Sequence, residues 1–426
     1  MAKRTGIFTI VFLCLLTSVL FVLSKTSFKI LLDSPLLALS QYLSLIGTTL
    51  LCISFILSTR LHRLEEMFGG LDKVYGVHSV VGALNFVFLL NHPILLILNS
   101  LSNKIPALVY ALPGNKLEYN FGIFALYLLI LLLAFTIFIK LPYHIWKLTH
   151  QLMGAVLVLA FFHITSISSD VSRYQPLRLW MLFLLSAGLV AYIYKLIFYA
   201  KLQMHPYVVT KINRLGDITE VYLEHKKKPL RFKPGQFVFI RFKGQNVPTE
   251  EHPFSISSVP TDKYLRLSIK SLGDFTSTLD RLQENDPVEV FGPYGKFLAD
   301  FEQTKDVIFV AGGIGITPFL SMFGSVKETD ERTVYLFYTN KSGGTSYGNA
   351  ELTKLISGRK NLKYCPWDSS KFGKLTALRI SEMVGSSKDK LVFLCGPEAM
   401  MYDLTNQFVK LGVKRSSIYF ENFSLR

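Results

Sequence analysis

Residues 78–92 read HSVVGALNFVFLLNH, apolar apart from Ser79, Asn85 and Asn91, with an imidazole at each end. A second stretch, HQLMGAVLVLAFFH at 150–163, repeats the pattern. At about 1.5 Å rise per helical residue, the two histidines of either stretch stand roughly 20 Å apart along the axis. They are therefore too distant to share one centre. A lone histidine in an apolar helix is ordinarily packed or interfacial, but ionisable groups in a membrane are costly. Four of them at matched depths on two helices call for a ligand. Imidazole is an axial ligand of haem iron, and helices of a bundle can clamp such a plate between them.

The surroundings fix the setting. Half of the 426 residues are apolar although the formal net charge is +16, so the two properties must occupy different regions. Uncharged or nearly uncharged apolar runs cover 6–23, 36–57, 74–98, 120–139, 148–167 and 177–199. Each approaches the ~20 residues that cross a hydrocarbon core, which predicts six transmembrane helices. MAKR followed by the first run has the form of a signal peptide, but no small-x-small cleavage site follows, so the run is read as a span. The basic loops at 1–4, 60–73 and 140–147 fall on one side with Lys195 and Lys201. Basic residues mark the cytoplasmic side, so the amino terminus and the region after Lys201 are expected in the cytoplasm of a multi-pass cell-membrane protein.

Spans three and five run in the same direction, so His78 pairs with His150 near the cytoplasmic face and His92 with His163 near the outer face. Fourteen residues return His92 to within roughly 40° of the His78 direction, whereas thirteen leave His163 roughly 140° from His150. The fifth span is therefore expected to carry a 3₁₀ or π irregularity, or else the outer haem is rotated about the membrane normal. His62 and His144 lie in basic loops and are read as solvated. Cys14, Cys52, Cys365 and Cys395 have no metal-ligand spacing, and no disulfide is expected. The basic surplus is assigned to positive-inside loops, anionic lipid and anionic nucleotide. Nucleic acid is excluded because no basic stripe carries interleaved aromatics.

After residue 203 the hydropathy falls. Short alternating runs such as ITEVYLEH, GQFVFIRF, YLRLSIK and PVEVFGPYG predict a small antiparallel barrel over 204–300. Within it, HPFSISS (252–258) offers Phe254 as a flat face for an isoalloxazine and Ser255 as a hydrogen-bonding group. Lys270 supplies positive charge for a pyrophosphate, and Gly273 and Thr276 supply phosphate donors. From 301 to 426 the pattern becomes strand–loop–helix. DVIFVAGGIGITPFLSM runs a buried strand into a glycine-rich turn and helix, where backbone can approach a dinucleotide closely. Its spacing, G-G-x-G-x-T-P, departs from the ordinary Rossmann fingerprint. TVYLFYTN ends at Asn340 and Lys341, where a ribose or 2′-phosphate could be read. KLVFLCGPEAM puts Cys395, Gly396 and Pro397 at a strand's carboxyl end.

HPFSISS, LGDFTSTL, GGIGITPF, CGPEAM and YFENFSLR, in this order, resemble the ferredoxin-reductase-type dehydrogenase module. Joined to six spans with paired histidines, the chain resembles the transmembrane flavocytochrome b superfamily of NADPH oxidases and ferric reductases, with bacterial members the better match. The resemblance covers nearly the whole chain. It implies a six-helix di-haem domain (1–203), an FAD-binding barrel (204–300) and an NAD(P)H-binding α/β domain (301–426). It assigns His252, Pro253, Phe254, Ser255, Lys270, Gly273 and Thr276 to FAD. Gly312, Gly313, Gly315, Thr317, Pro318 and Lys341, with Cys395, Gly396 and Pro397, go to the nicotinamide nucleotide. Phe423 would cover the flavin face, with Thr317 and Cys395 beside the nicotinamide, and His78, His150, His92 and His163 would bind iron. Lys270 and Lys341 stand where the family usually has Arg, and lysine makes no bidentate fork. The second change leaves NADPH and NADH both open as donors.

The parts imply one electron route: NAD(P)H, FAD, inner haem b, outer haem b, external acceptor. The thirteen-residue pair in span five resembles the NADPH-oxidase branch, which favours O2 giving superoxide. A ferric chelate is the alternative acceptor, and a non-enzymatic membrane channel or sensor with a flavin domain is the remote one.

Overall fold

The computed structural model describes residues 5–139, 141–297, 301, 305–340 and 347–420, and the chain folds as two compact units, Met1–Leu202 and Gln203–Arg426. In the first, six helices are long and apolar enough to cross a membrane: Thr5–Leu23, Pro35–Leu57, Leu71–Ser102, Leu117–Ile137, Tyr143–Ser166 and Gln175–Gln203. They are the six spans expected from the apolar runs. Much of their apolar surface faces outward, as with Phe8, Phe12, Val80 and Phe183, which suits a lipid solvent. The second span is the most enclosed and packs along the third and against the sixth. Gly188 of the sixth allows the close crossing, since a Cβ there would lie 3.3 Å from Cys52 Cα.

Polar side chains inside this unit tie helices together. Thr17 and Thr49 share a 3.0 Å hydrogen bond, and the Trp180 indole N–H donates to Thr17 Oγ1 at 2.9 Å, joining the first, second and sixth spans. Lys25 Nζ meets Asp170 Oδ2 at 2.5 Å and donates to Gln41 Oε1 at 2.8 Å, with both charged side chains buried. A buried ion pair survives on such added hydrogen bonds, which offset part of its desolvation.

The fifth span is irregular between its histidines, the first of the two alternatives that the thirteen-residue spacing left open. It runs as Tyr143–Gln151 and Met153–Ser166, with Leu152 at the joint at ψ −9°. There the bonds shorten to the three-residue pattern, Leu152 N–H to Thr149 O at 3.1 Å and Ala155 N–H to Leu152 O at 2.9 Å, a local 3₁₀ step.

The second unit opens with six strands: β1 (Met204–Leu215), β2 (Ile218–His225), β3 (Phe237–Phe242), β4 (His252–Ser255), β5 (Leu265–Lys270) and β6 (Pro287–Tyr294). They form an antiparallel sheet in the order β4–β3–β6–β1–β2–β5, and a bridge between Ile256 and Leu267 joins its two edges. The curled sheet surrounds Val209, Val221, Ile240, Leu267 and Val290, the inward positions of alternating strands.

Five parallel strands follow: β7 (Val307–Gly312), β8 (Val334–Asn340), β9 (Leu362–Asp368), β10 (Leu391–Cys395) and β11 (Ile418–Phe420), ordered β11–β10–β7–β8–β9. Alternate β7 residues serve opposite faces. Phe309 and Ala311 pack with the helix Thr317–Ser325, while Ile308 and Val310 pack with Ala377–Val384 and Glu398–Lys410. A strand buried on both faces must be apolar throughout, as VIFVAG is. Curled sheet and parallel sheet meet through a polar network. Glu220 accepts from Tyr347 Oη at 2.7 Å and Asn213 Nδ2 at 2.8 Å, Ser268 Oγ lies 2.6 Å from Tyr347 Oη, and Arg266 forks onto Glu351 at 2.8 and 2.9 Å. Burial and then the Glu220 carboxylate push the Tyr347 phenol up, so it stays a donor. The fold class expected from sequence is thus the one observed.

Candidate functional site

Within the helical unit, the rings of His78 and His150 lie with centroids 6.1 Å apart and planes at 75°. A metal bound between two imidazoles needs about 2 Å to each nitrogen, plus roughly 1 Å from each nitrogen to its ring centre, a total close to that separation. His150 also stacks on Trp146, at 5.4 Å and 19°. His78 and His150 are therefore brought together as expected, and His92 and His163 stand on the same two spans.

The hydrogen bonds decide which ring nitrogen is available. His78 Nδ1 faces the Ser54 carbonyl at 3.1 Å and Ser54 Oγ at 3.0 Å. His92 Nδ1 faces the Ser40 carbonyl at 3.1 Å and Ser40 Oγ at 2.8 Å. His163 Nδ1 faces the Glu118 carbonyl at 2.7 Å. A carbonyl can only accept, so each of these three Nδ1 atoms carries the proton and donates. The lone pair is then on Nε2, the arrangement of a metal-bound histidine whose other nitrogen is anchored by an outer acceptor. His150 differs: its Nδ1 is buried with no hydrogen-bond partner. Among the described residues no group of three or more His, Cys, Asp or Glu could hold a metal ion. The donor set instead fits two centres with two imidazoles each, as haem b takes.

Sequence reasoning missed the supports. Gly122 leaves room for His163, since a Cβ there would lie 2.8 Å from that ring's Cε1. It stands one turn above Glu118, on the same helix face. Ser40 and Ser54 were equally overlooked, although their separation of fourteen residues repeats that of His78 and His92.

In the second unit, the two glycine-bearing loops converge where neighbouring strands end. Cys395 pairs with Ala311 across β10 and β7, and β8 lies on the other side of β7. The chain thus changes direction between β7 and β10, the switch point at which open α/β sheets bind ligands. Gly315 sits against the other loop, where a Cβ would be 2.4 Å from the Cys395 carbonyl oxygen. Gly312 and Gly396 approach similarly, a Cβ on Gly396 lying 3.0 Å from Gly312 Cα. Gly313 holds φ +54° with open space where its Cβ would stand, a backbone conformation that favours glycine. Pro318 lies in the first turn of the following helix. Thr317 and Cys395 are both buried, and Thr317 Oγ1 donates to Ile314 O at 3.1 Å.

On the barrel, β4 carries His252, Pro253, Phe254 and Ser255. His252 stacks on Phe275 at 4.0 Å and its Nε2 lies 2.9 Å from Glu250 Oε2. Phe254 is half-buried against the barrel core. Lys270 closes β5 and pairs with Asp217 at 3.1 Å. At the Gly273 and Thr276 pair, Thr276 Oγ1 accepts from Leu272 N–H at 2.9 Å and Gly273 N–H at 3.0 Å. These groups cap the short helix Asp274–Ser277. Open space lies over Gly273, so the turn still presents a surface that backbone can share with a ligand. Lys341 and Phe423 lie outside the described residues.

Comparison with known proteins divides the chain in the same way. The family described as ferric reductase like transmembrane component matches residues 43–161, an FAD-binding domain matches 212–297, and an oxidoreductase NAD-binding domain matches 309–406. A flavohemoprotein of Bacillus subtilis is 28% identical over 238 residues, 51% of this chain and 59% of that protein. Sulfhydrogenase 2 subunit gamma of Pyrococcus furiosus is 34% identical over 113 residues, 26% of this chain and 38% of that protein. The chain thus spans less than two thirds of either relative. Among solved structures, flavohemoglobin from Malassezia yamatoensis with bound FAD and heme covers 82% of this chain and 98% of its own at TM-score 0.51 and 16% identity, a likeness of fold. A ferric reductase-like membrane domain followed by FAD- and NAD-binding domains is the architecture of the ferric reductase / NADPH oxidase (flavocytochrome b) family, and this chain has that architecture, with six helices long and apolar enough to cross a membrane.

Proposed function

We propose that the chain takes electrons from NAD(P)H on the cytoplasmic side of the cell membrane and delivers them to O2 on the other side, forming superoxide. The observation that carries the reading is the pair of histidine pairs, with Nε2 lone pairs reserved at His78, His92 and His163 by main-chain acceptors. FAD, when bound, converts a hydride's two electrons into single-electron transfers, and haem iron supplies one-electron carriers.

The protein's own residues position and exclude. Gly312, Gly313, Gly315, Pro318, Gly396 and Pro397 hold the nicotinamide nucleotide at the switch point, and Thr317 and Cys395 seat its ring. Lys341 reads the ribose end of NADPH or NADH. His252, Pro253, Phe254, Ser255, Lys270, Gly273 and Thr276 hold FAD, and Phe423 covers its exposed face. His78 with His150 and His92 with His163 would hold two haem irons, which would supply one-electron transfer to an acceptor that need not bind the metal. Each NAD(P)H oxidised leaves one proton in the cytoplasm and its two electrons reduce two O2. The positive-inside loops support this orientation.

The thirteen-residue spacing in the fifth span supports oxygen. The matched ferric reductase-like component supports a second reading, in which the acceptor is a chelated ferric ion. Purified protein supplied with NADPH or NADH distinguishes them. Superoxide-dismutase-sensitive reduction of cytochrome c is the expected result. Fast ferric-chelate reduction that dismutase leaves unchanged would replace oxygen by ferric iron.

A further inference from the structure

The serine and threonine hydroxyls of the second span, Pro35–Leu57, differ in whether they reach the third span. Ser44, Thr48 and Thr49 donate to carbonyls of their own helix, at 2.8, 2.8 and 2.9 Å. Such back-bonding is the default for Ser and Thr in helices. Ser40 and Ser54 turn across to the third span instead. Ser40 Oγ donates to the His92 carbonyl at 2.8 Å, and its single proton is then committed. Toward His92 Nδ1, 2.8 Å away, that oxygen can only accept. Ser54 Oγ lies 3.0 Å from His78 Nδ1, beside its own carbonyl. Both serines are buried. They are fourteen residues apart on one helix, and their partners are fourteen apart on its neighbour.

We propose that Ser40 and Ser54 are positioning residues for electron transfer, one for each iron centre. Each offers His92 or His78 two acceptors, carbonyl and hydroxyl, which fix the tautomer and the plane of the ring. Donation from Nδ1–H makes an imidazole more electron-rich, which favours ferric over ferrous iron. The serine hydroxyl therefore holds down the reduction potential of its own centre. The inference rests on the di-haem reading of the paired histidines.

The test is a spectroscopic redox titration of the purified full-length protein, wild type beside Ser40→Ala, Ser54→Ala, Ser40→Thr and Ser54→Thr. Alanine keeps the main-chain acceptor and removes the hydroxyl, so both centres should remain loaded. Ser54→Ala should raise one b-type midpoint and Ser40→Ala the other. Each shift should be about tenfold in the ferric/ferrous equilibrium, or about 59 mV for one electron. Low-spin ferric EPR should change for the same single centre, and the threonine variants should restore the wild-type values. Unchanged midpoints and EPR in both alanine variants would overturn the proposal, because packing alone would explain the serines. So would both midpoints moving together in each variant, which would deny the one-to-one assignment. A wild type without b-type absorption would instead overturn the di-haem reading underneath, a result distinct from either.

Discussion

The helical unit and the nucleotide-binding turn solve opposite problems. In the bundle, chemistry is carried by side chains added to regular helices, and precision comes from acceptors that face each ring. At the end of β7 it is carried by atoms that are missing: Gly312, Gly315 and Gly396 let two loops close to distances that a Cβ would forbid. One site fails when a group is removed and the other when a group is added.

The largest expected effect tests the first half of that contrast. His78→Ala should eliminate one b-type centre, lowering Soret absorbance per flavin by about half and transmembrane acceptor reduction by at least roughly 100-fold. Anaerobic bleaching of the flavin by NAD(P)H should proceed as in wild type. Gly315→Ala tests the second half. Its new methyl meets the Cys395 carbonyl, so about 1–3 kcal/mol of overpacking should weaken half-saturation by NADPH roughly 10–100-fold. The haem spectrum should not move.

Gly122→Ala mixes the two modes, since it adds an atom at a side-chain site. Its methyl meets the His163 ring, and the expected result is partial loss of one b-type centre in the reduced-minus-oxidised spectrum, with the His78/His150 centre retained. Glu220→Ala strips the network joining the two sheets and leaves Tyr347 and Asn213 without their acceptor. About 1–3 kcal/mol should be lost, read as a fall of roughly 2–4 °C per kcal/mol in the unfolding of the flavin and nucleotide region.

The smallest effect is a pH dependence. Partial burial opposes the Asp306 carboxylate, but the Thr333 N–H and Lys390 outweigh it and hold the carboxyl below its usual range. A folded pKa below the unfolded value of about 3.9 gives stability that is complete above that pH and fades as pH falls through the folded value. Asp306→Asn should flatten that acid-side slope, as measured by denaturant midpoints between about pH 5 and 3.

Much of this was legible in the residues because helices and strands repeat. Apolar runs gave the spans, alternation gave the curled sheet, and the thirteen-residue interval pointed to either an irregular fifth span or a rotated haem. The supports of the histidines were not legible in the same way. Ser40 and Ser54 sit among other hydroxyls of the same helix, and only packing of the second span on the third separates those that cross from those that bond at home. The Glu118 carbonyl has no residue signature at all. At β7 the glycines were recognisable, but which of them needs left-handed backbone and which needs absence of bulk depends on the facing loop. Gly313 is the first kind and Gly315 the second. The bonds from Leu272 and Gly273 N–H to Thr276 Oγ1 were not legible either, because a capping hydroxyl and a phosphate donor are the same residue types at the same spacing.

The joint at Leu152 also bears on how the chain can change length. Adding or deleting a residue within the third span would turn His92 by about 100° and slide it about 1.5 Å, stripping it from Ser40 while His78 stays in place. The fifth span already departs from the four-residue pattern at Leu152, so a change of length beside that joint disturbs fewer regular bonds. Insertions and deletions should therefore be tolerated beside Leu152 and rejected between His78 and His92, which makes the third span the ruler of this membrane domain and the fifth its expansion gap.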